Sequence, residues 1–165
     1  MSIGIFYYSR TGNTRSVAAI LEKKLKEHNE EVRLVEIEAE KKPGFLKAGY
    51  SAFRQKELPV KNTGFDVHEF DMILIGCPVW AGRPAPFVKT FFKNVSNGKG
   101  KPVGFFVTSG GDSTKTGKTP DLMKNYAAEN GFQPSKAFLA LQMEKNTKPD
   151  TSAAVDDFLQ TILKK

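Results

Sequence analysis

Five short apolar runs, each followed by residues at helical spacing, limit what this 165-residue chain can fold into more than any other feature. They cover residues 3–8, 32–37, 72–75, 103–108 and 137–141. Several are continuously apolar rather than alternating, as parallel strands covered on both faces must be. Between them, Val17, Ala18, Leu21 and Leu25 share one helical face. Pro86 is placed to open a helix that turns Phe87, Val88, Phe91 and Phe92 inward. Pro120 fits the first turn of another, with Leu122, Met123, Tyr126 and Ala127 on its apolar side and Asn130-Gly131 as its stop. A last helix starts near Asp150-Thr151 and repeats apolar residues at 155, 158, 159, 162 and 163. Five β-α units in succession predict an α/β fold built on a doubly wound parallel sheet.

The alternation breaks once, over about residues 38–66, a stretch too long for a plain connection. Within it Phe45, Leu46, Gly49, Tyr50 and Phe53 have the spacing of a short helix, and residues 41–61 carry six Lys or Arg against one Glu. The insertion is basic outside and aromatic on one side. Length predicts one domain over residues 1–165, with enough chain to bury a core without disulfides or metal. Cys77 is the only cysteine, which excludes an internal disulfide and fits a reducing compartment. The first residues lack the basic stretch and apolar core of a secretory leader, and no apolar run is long enough to span a membrane. A cytoplasmic location is expected. The net charge of +7 suits an anionic partner. Its positive charge is mostly lysine, and no nucleic-acid-binding motif accompanies it, so nucleic acid is not expected as a partner.

In an open α/β sheet, ligands bind beyond the C-terminal ends of the strands, where the winding reverses. Three loops are placed to meet there. The first, Ser9, Arg10, Thr11, Gly12, Asn13 and Thr14, lies between the first strand and the first helix. Its hydroxyls, amide and glycine can surround an anion at a helix start, and no acidic residue opposes that. An ordinary turn with Asn13 or Thr14 as N-cap reads equally well from these residues alone. The second loop is Cys77, Pro78, Val79, Trp80, Ala81 and Gly82; the third is Thr108, Ser109, Gly110, Gly111 and Asp112. A phosphate nest, an indole face and a Gly-rich polar loop together suit a phosphorylated planar aromatic ligand.

At this point the chain resembles a short-chain flavodoxin, and does so from end to end. Ser9-x-Thr11-Gly12-Asn13-Thr14 is similar to that family's loop for the phosphate of FMN. The run from Gly76 to Gly82 resembles its second flavin loop, whose aromatic stacks on the ring, and residues 108–112 stand where the third loop covers the other side. The resemblance implies a five-stranded sheet in the order 2-1-3-4-5 with helices on both faces, and FMN as cofactor. The cofactor-binding set it implies is Ser9, Arg10, Thr11, Gly12, Asn13, Thr14, Pro78, Val79, Trp80, Ala81, Gly82, Thr108, Ser109, Gly110, Gly111 and Asp112. Arg10 either supplements the phosphate charge or is solvated. Asp112 either accepts a hydrogen bond from the flavin or caps a turn.

Competing signals are weaker. Cys77 and Arg83 have the spacing of a cysteine phosphatase loop, but Pro78 lacks the N–H such a loop needs and Pro84 stands where a hydroxyl is required. A small buried hydrophobe is the expected role of Cys77. Gly111 to Gly117-Lys118-Thr119 resembles a nucleotide P-loop with one residue too many between its glycines. His28 and His68 have no ligand-spaced partners, so no metal site is expected.

Function follows from the resemblance: one-electron transfer through an exposed flavin edge between redox partner proteins, here with acidic surfaces. The alternatives are an NAD(P)H-dependent quinone or flavin reductase and a non-catalytic FMN module. No second nucleotide fingerprint or acid–base cluster favours an enzyme with its own substrate. Two departures stand out. Flavodoxins are usually acidic, and a +7 chain is expected to hold its fully reduced flavin at a less negative potential. The third loop also lacks an aromatic, so the outer flavin face is either open to a quinone-like acceptor or covered by Tyr50 or Phe53.

Overall fold

The computed structural model describes residues 1–111, 116–143 and 152–164. Its order is β1 (Ser2–Tyr7), α1 (Asn13–Glu27), β2 (Glu31–Glu36), α2 (Phe45–Phe53), β3 (Met72–Trp80), β4 (Arg83–Pro84), α3 (Phe87–Asn94), β5 (Pro102–Ser109), α4 (Thr119–Glu129), β6 (Gln133–Gln142) and α5 (Ser152–Leu163). Five strands pair in parallel in the order β2-β1-β3-β5-β6. Leaving out the two-residue arm β4, which pairs antiparallel with β3, this is the expected order 2-1-3-4-5.

The continuous apolar strands divide their side chains between two cores. Ile3, Ile5 and Tyr7 of β1 face a core closed by Val17, Leu21 and Leu25 of α1 and Val155, Phe158 and Leu159 of α5. Phe6 and Tyr8 face the opposite core with Phe87, Phe91 and Phe92 of α3 and Met123 and Tyr126 of α4. Burial of these side chains, worth roughly 1.5–3 kcal/mol each, is what selects helices on both faces.

One expectation needs correction. The third strand does not end at residue 75: it runs on through Cys77, Pro78, Val79 and Trp80, so most of the supposed second loop is strand. Pairing explains this, because β3 keeps β5 as neighbour out to Pro78↔Thr108 and then acquires β4 through Val79↔Pro84 and Trp80↔Arg83. Pro78 is tolerated because it lies past Tyr7↔Gly76, the last pair with β1. The insertion does carry the expected helix, α2, with its large apolar residues Leu46, Tyr50 and Phe53 exposed. Ala48, Ser51 and Ala52 are buried instead, since only small side chains let α2 approach the sheet closely.

Candidate functional site

The C-terminal ends of β1, β3 and β5 lie side by side, and the segments following them enclose a groove of about 470 Å³. Arg10, Thr11, Asn13, Thr14, Pro78, Val79, Trp80, Thr108, Ser109 and Gly110 line it, joined by Phe45 and Met143. Ten of the sixteen residues expected from sequence therefore meet in one place. Ser9, Gly12, Ala81, Gly82 and Gly111 do not line the groove, and Asp112 lies outside the described residues.

At one end is the start of α1. Its N-cap is Gly12, not Asn13 or Thr14, at φ 97°, a left-handed conformation that a side chain would strain. Gly12 supplies no side-chain cap and no acidic residue sits in the first turn, so the helix dipole and the N–H groups of Asn13 and Thr14 remain directed at the groove. Buried Ser9 works from behind: its hydroxyl oxygen accepts from the N–H of Gly12 (3.1 Å) and of Arg15 (3.3 Å), fixing the loop. Arg15 is turned away in a bidentate pair with Glu36 at 2.7 and 2.9 Å, which leaves Arg10 as the cation lining the groove.

The middle of the groove is aromatic. Trp80, half-buried at the end of β3, is braced edge-on by Tyr8 (centroids 5.8 Å apart) and Phe87 (6.4 Å). The Arg10 guanidinium carbon lies 4.0 Å from the Phe45 ring centre and 5.8 Å from that of Trp80. The insertion thus reaches the site through Phe45, at the N-terminal end of α2. Tyr50 and Phe53, the residues expected to cover the outer face, lie further along α2 and are not among the groove's walls.

After Trp80 the chain reverses through Ala81 (φ 50°) and Gly82 (φ 69°). Two successive left-handed residues make the tight turn that suits a two-residue hairpin. The turn is held from behind, where the Lys118 N–H donates to the Gly82 carbonyl at 2.9 Å. Gly117 packs so closely that a Cβ there would stand 2.5 Å from the same oxygen. On the far side Thr108 joins Thr14, and the Met143 N–H donates to the Ser109 carbonyl at 2.8 Å.

Sequence reasoning missed Phe45, Met143 and the backing by Gly117 and Lys118. Met143 was within reach, since it follows the last strand at the ligand-binding edge. Phe45 was not, because a helical pattern alone does not say which way the helix is turned.

Cys77 has no part in the groove. It is wholly buried, and burial pushes its thiol up to about 12, so the thiolate required by phosphatase chemistry is strongly disfavoured. Burial likewise raises the Tyr8 phenol, whose oxygen has no hydrogen-bond partner among the described residues. Among the described residues no cluster of His, Cys, Asp or Glu could hold a metal ion. The groove's described walls carry no carboxylate. An uncapped helix start, hydroxyls, one guanidinium and an indole face fit a phosphate joined to a flat aromatic ring, which is the chemistry of FMN.

The model of a family described as NADPH-dependent FMN reductase matches residues 1–145. No curated protein shows significant similarity. A Bacteroides uniformis protein provisionally assigned as a flavoprotein is 22% identical, with 96% of this chain and 97% of that one covered and a TM-score of 0.70. Flavodoxin 1 from Bacillus cereus is 13% identical, with 98% and 97% covered and a TM-score of 0.64. A flavoprotein from Lactobacillus acidophilus, solved in complex with FMN, is 24% identical over 81% of this chain and 89% of its own, with a TM-score of 0.58. At these identities the likeness is one of fold.

Proposed function

The chain belongs to the NADPH-dependent FMN reductase family, has the flavodoxin-like fold and takes FMN as its cofactor; from that premise we propose that it carries electrons on FMN bound in this groove and exchanges them with redox partner proteins. The observation that carries the reading is the convergence, in one groove without a described carboxylate, of the uncapped start of α1 with the face of Trp80.

Bound FMN would supply a ring able to accept and release electrons one or two at a time. The chain's own residues bind and orient it. The N–H groups of Asn13 and Thr14 at the start of α1, with the side chains of Thr11, Asn13 and Arg10, hold the phosphate end. Trp80 offers a flat apolar wall, and Phe45 joins it in lining the groove. Ala81 and Gly82 present backbone at the rim, while Lys118 pins one carbonyl of that turn. Ser9, Gly12 and Gly111 shape the loops rather than touch the ligand. The charge of +7 supports partners with acidic surfaces.

The family's description favours a second reading, in which NADPH reduces the flavin and a quinone or free flavin is turned over. One experiment separates the two. The FMN-loaded protein is reduced stepwise while its visible spectrum is followed, and is then mixed with NADPH and a quinone. A persistent one-electron stage with no NADPH consumption supports the carrier. Rapid two-electron reduction by NADPH with quinone turnover supports the reductase. Failure to take up FMN at all would overturn both.

A further inference from the structure

Helix α2 presents to solvent the side chains that a helix of this kind ordinarily buries. Phe45 is 81% exposed and Leu46 92%, with Tyr50 and Phe53 both at 56%. Leu46, Tyr50 and Phe53 lie on one side of the helix, opposite Ala48, Ser51 and Ala52, and Phe45 stands at its N-terminal end between that side and the groove. Around them stand Lys41, Lys42, Lys47, Arg54 and Lys56, all exposed, and residues 41–56 contain no Asp or Glu. The helix is firmly mounted despite this. Lys89 Nζ donates to the Gln55 carbonyl at 3.1 Å, Tyr126 Oη reaches Gln55 Oε1 at 3.3 Å, and the Lys56 N–H bonds the Ser51 carbonyl at 2.9 Å. Its outward apolar face is therefore part of the folded protein.

We propose that this face docks on the surface of an anionic lipid bilayer, with Phe45, Leu46, Tyr50 and Phe53 entering the headgroup–acyl boundary and the basic residues resting on lipid phosphates. Three features choose a bilayer over other covers. A second copy of this chain, paired symmetrically through α2, would set five cations against five cations. Protein interfaces favour Arg and are depleted in Lys, whereas four of the five cations here are Lys, and a lipid surface draws on either. Leu46, 92% exposed, also stands clear of the surface, as insertion requires and as a flat protein contact does not. Phe45 belongs both to this face and to the groove wall, so docking would bring the groove's rim to the membrane, where a lipid-soluble quinone-like acceptor is found. That last step rests on the flavin reading; the docking does not.

The test is sedimentation of the FMN-loaded protein with vesicles of phosphatidylcholine alone, or of phosphatidylcholine mixed with phosphatidylglycerol, at low and high salt. Binding should need phosphatidylglycerol and weaken as salt screens the charges. Leu46→Ser should reduce it about ten-fold. Lys41→Gln and Lys42→Gln should each reduce it about five-fold, with flavin absorbance unchanged. The proposal is overturned by absence of binding, by equal binding to both vesicles, or by indifference to Leu46→Ser. Retention on immobilised polyglutamate without vesicle binding would assign the face to an acidic protein instead. Loss of flavin with vesicle binding intact would count against the groove and leave the docking standing.

Discussion

Thr14, in the first turn of α1, and Thr108, near the end of β5, meet hydroxyl to hydroxyl at 2.8 Å, buried and 94 residues apart in sequence. The bond ties the first loop to the third beneath the groove. Thr14→Val should destabilise the protein by about 1–3 kcal/mol, because the Thr108 hydroxyl is left buried without this partner. Thr14→Val with Thr108→Val should recover part of that loss. Urea unfolding of the four proteins in a double-mutant cycle measures the coupling; additive losses would show that the bond contributes nothing.

Trp80 is the flat wall of the groove. Trp80→Ala should weaken FMN binding by about 1–3 kcal/mol, the usual worth of an aromatic stacked on a planar heterocycle. It should also restore much of the flavin fluorescence that the indole quenches. Fluorescence titration with FMN reads both effects, and unchanged quenching would remove Trp80 from the site.

Gly117 supports the Ala81-Gly82 turn from behind, at φ 61° and with no room for a Cβ. Gly117→Ala should cost about 1–3 kcal/mol of stability and displace the turn, lowering FMN affinity as well. Gly111→Ala is the matched control, since a Cβ there meets nothing within 4 Å among the described residues. Thermal unfolding and FMN titration of the pair should separate them clearly.

The buried Cys77 thiol should respond to alkali rather than to thiol reagents. Its folded pKa of about 12 lies above that of the unfolded thiol, roughly 8.5. Between these values the unfolded state loses a proton that the folded state keeps. The contribution is therefore fully present below about pH 8.5 and is lost as pH rises toward 12, at up to about 1.4 kcal/mol per pH unit. Unfolding measured across that window should fall more steeply for the wild type than for Cys77→Ala. A thiol reagent at neutral pH should modify Cys77 only in denaturant.

The sheet was legible in the sequence because each parallel strand is apolar on both faces and each helix repeats its core residues at a fixed spacing. Val17, Ala18, Leu21 and Leu25, or Phe87, Val88, Phe91 and Phe92, announce a buried face without reference to anything distant. Strand ends were less legible. Residues 76–80 look like a Pro- and Gly-punctuated loop, and only the neighbours β5 and β4 make them strand.

The groove divides along the same line. Its ingredients, the loop from Ser9 to Thr14, the lone Trp80 and the pair Gly110-Gly111, could be named in advance because local chemistry and position in a β-α unit single them out. How they are held could not. The Thr14–Thr108 bond, the Gly117 support beneath Gly82, and the turning of α2 that sends Phe45 to the groove and Leu46 to solvent all join residues far apart in the chain. Sequence by itself determined the periodicities, and with them the layers and the edge at which a ligand would lie. Tertiary structure alone decided contacts and orientation, because a periodic pattern says that one face of an element must be covered but not what lies against it.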